Sequence, residues 1–343
     1  MTEMANPNEE MRVEVRLGGG NECRFYYVGF NPNVKQALDV DLLHHISHPN
    51  SVLSIAFSPD GKYLATGSNW TVTVFEVSTG QIYRTLKIEL DEPRPCNHAY
   101  SLCFYPNSNV LVSGWADKYI RFWDFDTNEI LHTLEDPDHP ILSVQVEPTG
   151  RYILAQGGHE ILRIWDMAYG KTIRTVELNT SPVKVSLSPD GRRAAVLYKD
   201  GKVRVFNMPY GYPEPCLSGL DTQEHDILWA QCPVGTRQLF TLNFDKTIKL
   251  WDLGSGGVVR TFAGHKGSIL GAALTPDFRW LISGGNGDTI CFWDPDNGDM
   301  HMEIDGLDPK RGITLVQACQ PNVFATVGTD NSVRIWRYSA HKE

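Results

Sequence analysis

Along this chain, short runs of alternating apolar and polar residues are divided by turns rich in Gly, Pro, Asn and Asp. That is the period of half-buried β-strands, not of helices. Residues 264–294, GHKGSILGAALTPDFRWLISGGNGDTICFWD, give the clearest unit. It holds a Gly-His pair, a strand from Ser268 to Leu274, a turn at Thr275-Pro276-Asp277, a strand from Trp280 to Ser283, and a third strand closing on Trp293-Asp294. An aromatic residue followed by a polar one closes such a unit at Phe75-Glu76, Trp123-Asp124, Trp165-Asp166, Phe206-Asn207, Trp251-Asp252, Trp293-Asp294 and Trp336-Arg337, at intervals of 41 to 48 residues. One copy alone cannot bury the faces of so small a sheet, so each is predicted to pack against its neighbours.

A repeat of this length with a Gly-His lead and a Trp-Asp close is the WD repeat. Seven copies predict an all-β chain folded as a seven-bladed WD40 β-propeller. Ala37 to His44, ALDVDLLH, alternates at the strand period but precedes the first copy, while the last copy ends soon after Trp336. It is predicted to be the outer strand of the last blade, an N-terminal strand that closes the ring and covers a sheet edge. Residues 1–37 form an N-terminal extension in which MRVEVRL and CRFYYVGFN flank a Gly-rich turn, an extra N-terminal β-hairpin outside the repeats; residues 38–343 form the propeller. After blade four, PYGYPEPC holds too many prolines for a central strand and is expected to be an irregular outer connection.

Within a WD unit, the His of the Gly-His pair, a hydroxyl on the second strand, the Asp of the second turn and the strand-ending indole N–H can form a buried hydrogen-bonded chain. A buried donor left unpaired costs about 1–3 kcal/mol. On that ground His48 and His265, then Asp117, Asp200, Asp245 and Asp330, and Trp123, Trp165, Trp251, Trp293 and Trp336 are assigned to the scaffold. No blade holds the full set: blade two lacks the His, blade three has Ala155 and His159, and blade six has Gly287 at the aligned Asp position. Apolar packing and strand ladders are therefore expected to hold the ring.

Composition narrows the function. With 41% hydrophobic and 21% charged residues among 343, the balance is that of an ordinary soluble globular chain. A formal net charge of −10 argues against a direct grip on nucleic-acid phosphates. Seven cysteines, an odd number without tight pairing, read as reduced thiols. The opening MTEMANPNEEM lacks the basic start and apolar run of a secretory signal, and no stretch is long enough for a membrane-spanning helix. Nucleotide-binding glycine loops, nucleophile elbows, paired CxxC and HExxH motifs are missing, so no catalytic residue, cofactor or metal is assigned. His44, His45 and His48 lie close in sequence, but adjacent residues of a strand face opposite ways and His48 takes the scaffold position, so they are not read as metal ligands.

The loops remain. In such a ring the second turn of each blade and the loop leading into each inner strand lie at the mouth of the central channel. Those positions bring Trp70, Tyr100, Trp115, Lys118, Phe244 and Arg311 to one face, here called the top face, beside Ala116, Lys199 and Asn286. Aromatic and basic side chains dominate the energetics of protein interfaces, so this face is expected to bind other proteins. Trp70 and Phe244, at turn tips, are expected to be exposed, whereas Trp115 is equally consistent with packing between blades.

YYVGFNP leading into LDVDLLHHISHPNSV, the shortened blade-one turn in ATGSNWTVTVFEV, GHKGSILGAALTP followed by FWDPDNG, and the ending NVFATVGTDNSVRIWRY resemble a particular group of WD proteins. They are similar to the C-terminal propeller of the fungal Tup-type general transcriptional corepressors, relatives of the Groucho proteins. The resemblance implies a non-enzymatic nuclear scaffold whose top face takes short segments of sequence-specific transcription factors and so gathers chromatin-associated proteins, with no direct contact to nucleic acid or membrane. Carried over by position, the implied recognition surface includes Ser68, Ala116, Lys199, Leu228, Gly285 and Asn286. The helical oligomerisation segment and polar linker that precede the propeller in that family are not in this sequence, which is either a propeller excised from a longer chain or a free-standing protein that cannot tetramerise in the same way; the propeller itself is expected to be monomeric. The alternative is a general WD-repeat scaffold, such as a substrate receptor of a ubiquitin ligase or another cytoplasmic complex subunit. No repeat carries the Arg two residues after the Trp-Asp pair that resembles adaptor-docking propellers.

Overall fold

The computed structural model describes residues 11–16, 25–88, 97–136, 139–157, 160–178, 182–188, 190–198, 203–208, 212–213, 227–231, 237–243, 245–287, 289–305 and 312–341. For 11–16, 25, 182–183, 212–213 and 227–231 it describes the backbone alone. The strands pair into seven sheets, six of four strands and one of six, and each sheet is a blade of one ring. The innermost strands, in chain order, are Ser54–Phe57, Ala99–Phe104, Ile141–Val146, Pro182–Leu187, Ile227–Gln231, Ile269–Leu274 and Ile313–Cys319. Each pairs antiparallel with the next strand of its own blade.

The first turn of a blade follows from its residues. In blade one, Ser58 Oγ donates to Asp60 Oδ1 at 2.7 Å while the Gly61 amide closes back on the Ser58 carbonyl at 2.9 Å. Gly61 sits at φ +70°, and a Cβ there would lie 1.9 Å from the Gln320 carbonyl of blade seven, so the position takes glycine alone. Blade six builds the same turn with Thr275 and Asp277, at 2.6 Å.

The core is divided. Buried apolar residues fall into clusters that each join two neighbouring blades: Val74, Leu86, Leu111 and Trp123 between blades one and two, Ile164, Leu154, Val196 and Phe206 between three and four, and Phe262, Leu250, Leu281 and Trp293 between five and six. No blade therefore has a core of its own, as the repeat pattern requires.

Closure occurs where the alternating N-terminal stretch predicts it. Leu38–Ser47 lies antiparallel on Ser332–Ala340, with Leu38 opposite Ala340 and Ser47 opposite Ser332, interrupted by a bulge between Leu42 and His44. The hairpin of Met11–Arg16 and Phe25–Phe30 does not stand apart from the repeats. Phe25–Phe30 pairs with Met300–Asp305, the outer strand of blade six, which makes that sheet six-stranded. The apolar face of its alternation explains the docking: Tyr26 and Val28 are buried, and the Tyr26 ring meets Trp336 of blade seven edge-on at 5.5 Å. Of the proline-rich stretch after blade four, only Tyr212–Pro213 is described, as a short outer strand against Phe206 and Asn207; the remainder lies outside the described residues.

Candidate functional site

The strand-ending indoles meet hydroxyls of the second strand. Trp123 Nε1 donates to Ser113 Oγ at 2.7 Å, Trp251 Nε1 to Thr241 Oγ1 at 2.8 Å, Trp293 Nε1 to Ser283 Oγ at 2.8 Å and Trp336 Nε1 to Thr326 Oγ1 at 3.0 Å. Blade three has Ala155 at this place, and Trp165 is nonetheless buried. In blade six the chain extends to His265, whose Nε2 lies 2.6 Å from Ser283 Oγ, and in blade one His48 Nε2 lies 3.4 Å from Thr66 Oγ1. Burial drives the His265 pKa from 6.5 down to about 4.

That depression makes His265 an acid sensor of stability. Between about pH 6.5 and 4 the unfolded chain binds a proton that the folded ring refuses, so this contribution is complete above 6.5 and is lost as the pH falls through 4. His265→Gln is expected to flatten the dependence of the unfolding free energy on pH in that window, as measured by urea denaturation at successive pH values. An unchanged slope would assign the acid sensitivity elsewhere.

The turn carboxylates take a different partner from the one the sequence assigned. Asp117, Asp245 and Asp330 pair with a cation on the third strand, two residues before the closing aromatic. Arg121 grips Asp117 through both nitrogens, at 2.9 and 2.6 Å, with Asn97 Nδ2 donating to the same carboxylate at 2.8 Å. Lys249 lies 3.3 Å from Asp245, and Arg334 lies 3.0 Å from Asp330. In blade three, Arg163 pairs with Asp136 of the lead-in loop. Asp200 lies outside the described residues. The signal was present in the sequence as Arg121, Arg163, Arg204, Lys249 and Arg334, all at the same offset from an aromatic.

On the top face, three of the described second turns are tied to a lead-in loop by a backbone bond: Ala116 N–H to His98 O at 3.0 Å, Asn286 N–H to Ser268 O at 2.7 Å and Thr329 N–H to Gly312 O at 2.9 Å. The shortened blade-one turn instead reaches the next blade. Trp70 N–H donates to Asn97 O at 2.8 Å, and Asn97 N–H donates to Asn69 Oδ1 at 2.9 Å. Trp70 adopts φ +65° and is half-buried. Tyr100, against His98 at 5.6 Å, is half-buried as well, as are Ala116 and Lys118, and Asn286 is exposed.

Three of the expected rim residues do not offer surface. Trp115 is 0% exposed: its Nε1 donates to Ser113 Oγ at 2.6 Å, the place that histidine fills in blade six, and Arg121 lies 5.6 Å over its ring. The missing His of blade two thus leaves room that the tryptophan occupies. Ser68 is buried, with its hydroxyl 2.8 Å from Thr71 Oγ1. Gly285 is buried where a Cβ would fall 2.1 Å from the Ser268 carbonyl. Lys199, Phe244 and Arg311 lie outside the described residues, and of Leu228 only the backbone, in Ile227–Gln231, is described. The described patch is therefore Trp70, Tyr100, Ala116, Lys118 and Asn286. Among the described residues no group of three or more His, Cys, Asp or Glu could hold a metal ion.

A ring of seven blades, closed end to end and presenting loops around an axial channel, is the fold of the WD-repeat β-propellers, and the WD domain, G-beta repeat pattern matches residues 41–76, 94–124 and 256–294. Within that class it resembles the propellers of the Tup-type, Groucho-like transcriptional corepressors. It is 32% identical to the transcriptional repressor rco-1 of Neurospora crassa over 332 residues, which span 92% of this chain and 54% of that protein. Against the general transcriptional corepressor tupA of Dictyostelium discoideum it is 37% identical over 110 residues, 32% of this chain and 18% of the relative. It is also 26% identical to the nuclear distribution protein PAC1 of Arthroderma otae over 323 residues, 82% of this chain and 67% of that one. The chain thus spans about half the length of rco-1.

Proposed function

We infer that this propeller is a non-catalytic scaffold of transcriptional repression in the nucleus, which seats short segments of sequence-specific, DNA-bound repressors on its top face. The observation that carries the reading is the likeness to rco-1 along 92% of the chain. The patch of Trp70, Tyr100 and Lys118 supports it, because amphipathic rings beside a cation suit a short peptide. The net charge of −10 supports leaving the contact with nucleic acid to the partner. A second reading, a scaffold of a cytoplasmic complex, draws on the likeness to PAC1.

Peptides cut from sequence-specific repressors, titrated calorimetrically into the wild type, are expected to bind and to lose about tenfold or more in affinity to Trp70→Asn combined with Tyr100→Ala. Asn suits the positive φ at this turn, so the ring keeps its fold. Equal affinity for both proteins would move the site off this face, and failure of every such peptide to bind would remove the reading.

A further inference from the structure

One of the seven innermost strands carries a charge. Ser54, Ser101, Ser143 and Lys184 hold equivalent places in blades one to four, each five residues ahead of a proline in the sequence: Pro59, Pro106, Pro148 and Pro189. The three serines clasp the ring from inside. Ser54 Oγ donates to Ala99 O of blade two at 2.9 Å, Ser101 Oγ to Val144 O of blade three at 3.3 Å, and Ser143 Oγ to Val185 O of blade four at 3.5 Å. At the fourth place the series breaks, and an ammonium on a long stem stands where a clasp would be.

Lys184 lines the central channel, a cavity of about 570 Å³ that runs from Tyr100 on the top face to Pro59 at the other end. It is the sole charged residue on all seven innermost strands, SIAF, AYSLCF, ILSVQV, PVKVSL, ILWAQ, ILGAAL and ITLVQAC. Its side chain is open to the lumen, yet the enclosing protein desolvates the ammonium and lowers its pKa. Among the described residues no acceptor or carboxylate offsets that loss. A desolvated charge without a counter-charge is a cost that a bound ion of opposite sign removes.

We propose that the central channel is an anion site in which the Lys184 ammonium holds a carboxylate or phosphate group small enough to enter the lumen. Tyr100, Gln145 and Gln317, on blades two, three and seven, line the same channel and carry hydroxyl and carboxamide donors. Gln317 Oε1 has no hydrogen-bond partner among the described residues, so its carboxamide is free to turn the NH2 inward. The group arrives either as a free ion or as an acidic side chain of a docked segment; the chemistry at Lys184 is the same, and the site does not depend on a role in transcription.

The test uses the whole chain with its lysines 13C-dimethylated, which preserves their charge, and identifies the Lys184 signal by its loss in Lys184→Arg. Sodium phosphate, sodium acetate and N-acetyl-aspartate amide are titrated at constant ionic strength, with N-acetyl-asparagine amide as the uncharged control. A saturable shift of the Lys184 signal with an anion, absent with the control, is expected. The accompanying rise in Tm should persist in Lys184→Arg and require about tenfold more anion in Lys184→Met. Preference for phosphate assigns the site to a free ion, and preference for the aspartate amide assigns it to a partner's acidic side chain. No shift with any of the three anions, or the same Tm response in Lys184→Met as in the wild type, overturns the proposal.

Discussion

A chain shortened to begin at Pro49 is expected to lose the cooperative thermal transition of the whole protein. The cut removes Leu38–Ser47 and the hairpin ahead of it, uncovers the edge of Ser332–Ala340, and strips Tyr26, Val28, Leu38 and Val40 from the cluster that joins blades six and seven. Burial of a large apolar side chain contributes about 1.5–3 kcal/mol, so the four together lose about 6–12 kcal/mol, comparable to the whole stability of a typical domain, about 5–15 kcal/mol. Because each blade leans on the next, the damage spreads around the ring. Circular dichroism and tryptophan fluorescence should show a broad melt and exclusion chromatography should show association through the bared edge. A synthetic peptide of residues 37–48 should restore part of the transition. A shortened chain that melts at the wild-type midpoint would mean the ring holds without its closing strand.

Asp330→Ala is expected to cost about 3–5 kcal/mol, because it leaves the guanidinium of Arg334, 2% exposed, without its counter-charge. Replacing both residues, Asp330→Ala with Arg334→Met, should recover most of that loss, since two well-packed apolar groups carry no buried charge. Burial by itself would raise the Asp330 carboxyl; the Ser332 hydroxyl, the Arg334 guanidinium and the Ser332 N–H outweigh it and hold the pKa below 3.8. The carboxylate therefore contributes fully above 3.8, and the contribution disappears as the pH falls through its lower folded value. Guanidinium chloride denaturation at neutral and acid pH measures both effects. A double variant no more stable than Asp330→Ala would show that the carboxylate does something other than neutralise Arg334.

The number of blades and the manner of closure were legible because they rest on periodicity: strand-ending aromatics at regular spacing, and one alternating stretch with no blade of its own. The hairpin was legible as a hairpin, but its docking on Met300–Asp305 was not, because local alternation specifies a strand without naming its partner. Trp115 shows how a site assignment by position fails. Its place in the turn suits the rim, and only the joint observation that blade two lacks a histidine and that Ser113 can accept a second indole turns it inward. The Arg121–Asp117 and Arg334–Asp330 pairs were not legible for a related reason: the hydrogen-bonded chain expected of a WD unit links the turn Asp with a histidine, and local sequence does not show that a guanidinium on the third strand reaches the same carboxylate. Lys184 passed unnoticed because an inward lysine cannot be told from an outward one until the serines at the equivalent places are seen to reach the next blade.

The pairing of Leu38–Ser47 with Ser332–Ala340 also orders events on the ribosome. The first strand of the propeller to be synthesised has its partner among the last, so it waits while nearly the entire ring is translated, roughly 15–60 s at 5–20 residues per second. During that interval its buried face, with Leu38 and Val40, is open to any holdase within reach. Cellular yield of this protein should accordingly respond to chaperone supply more than the stability of the finished ring would suggest.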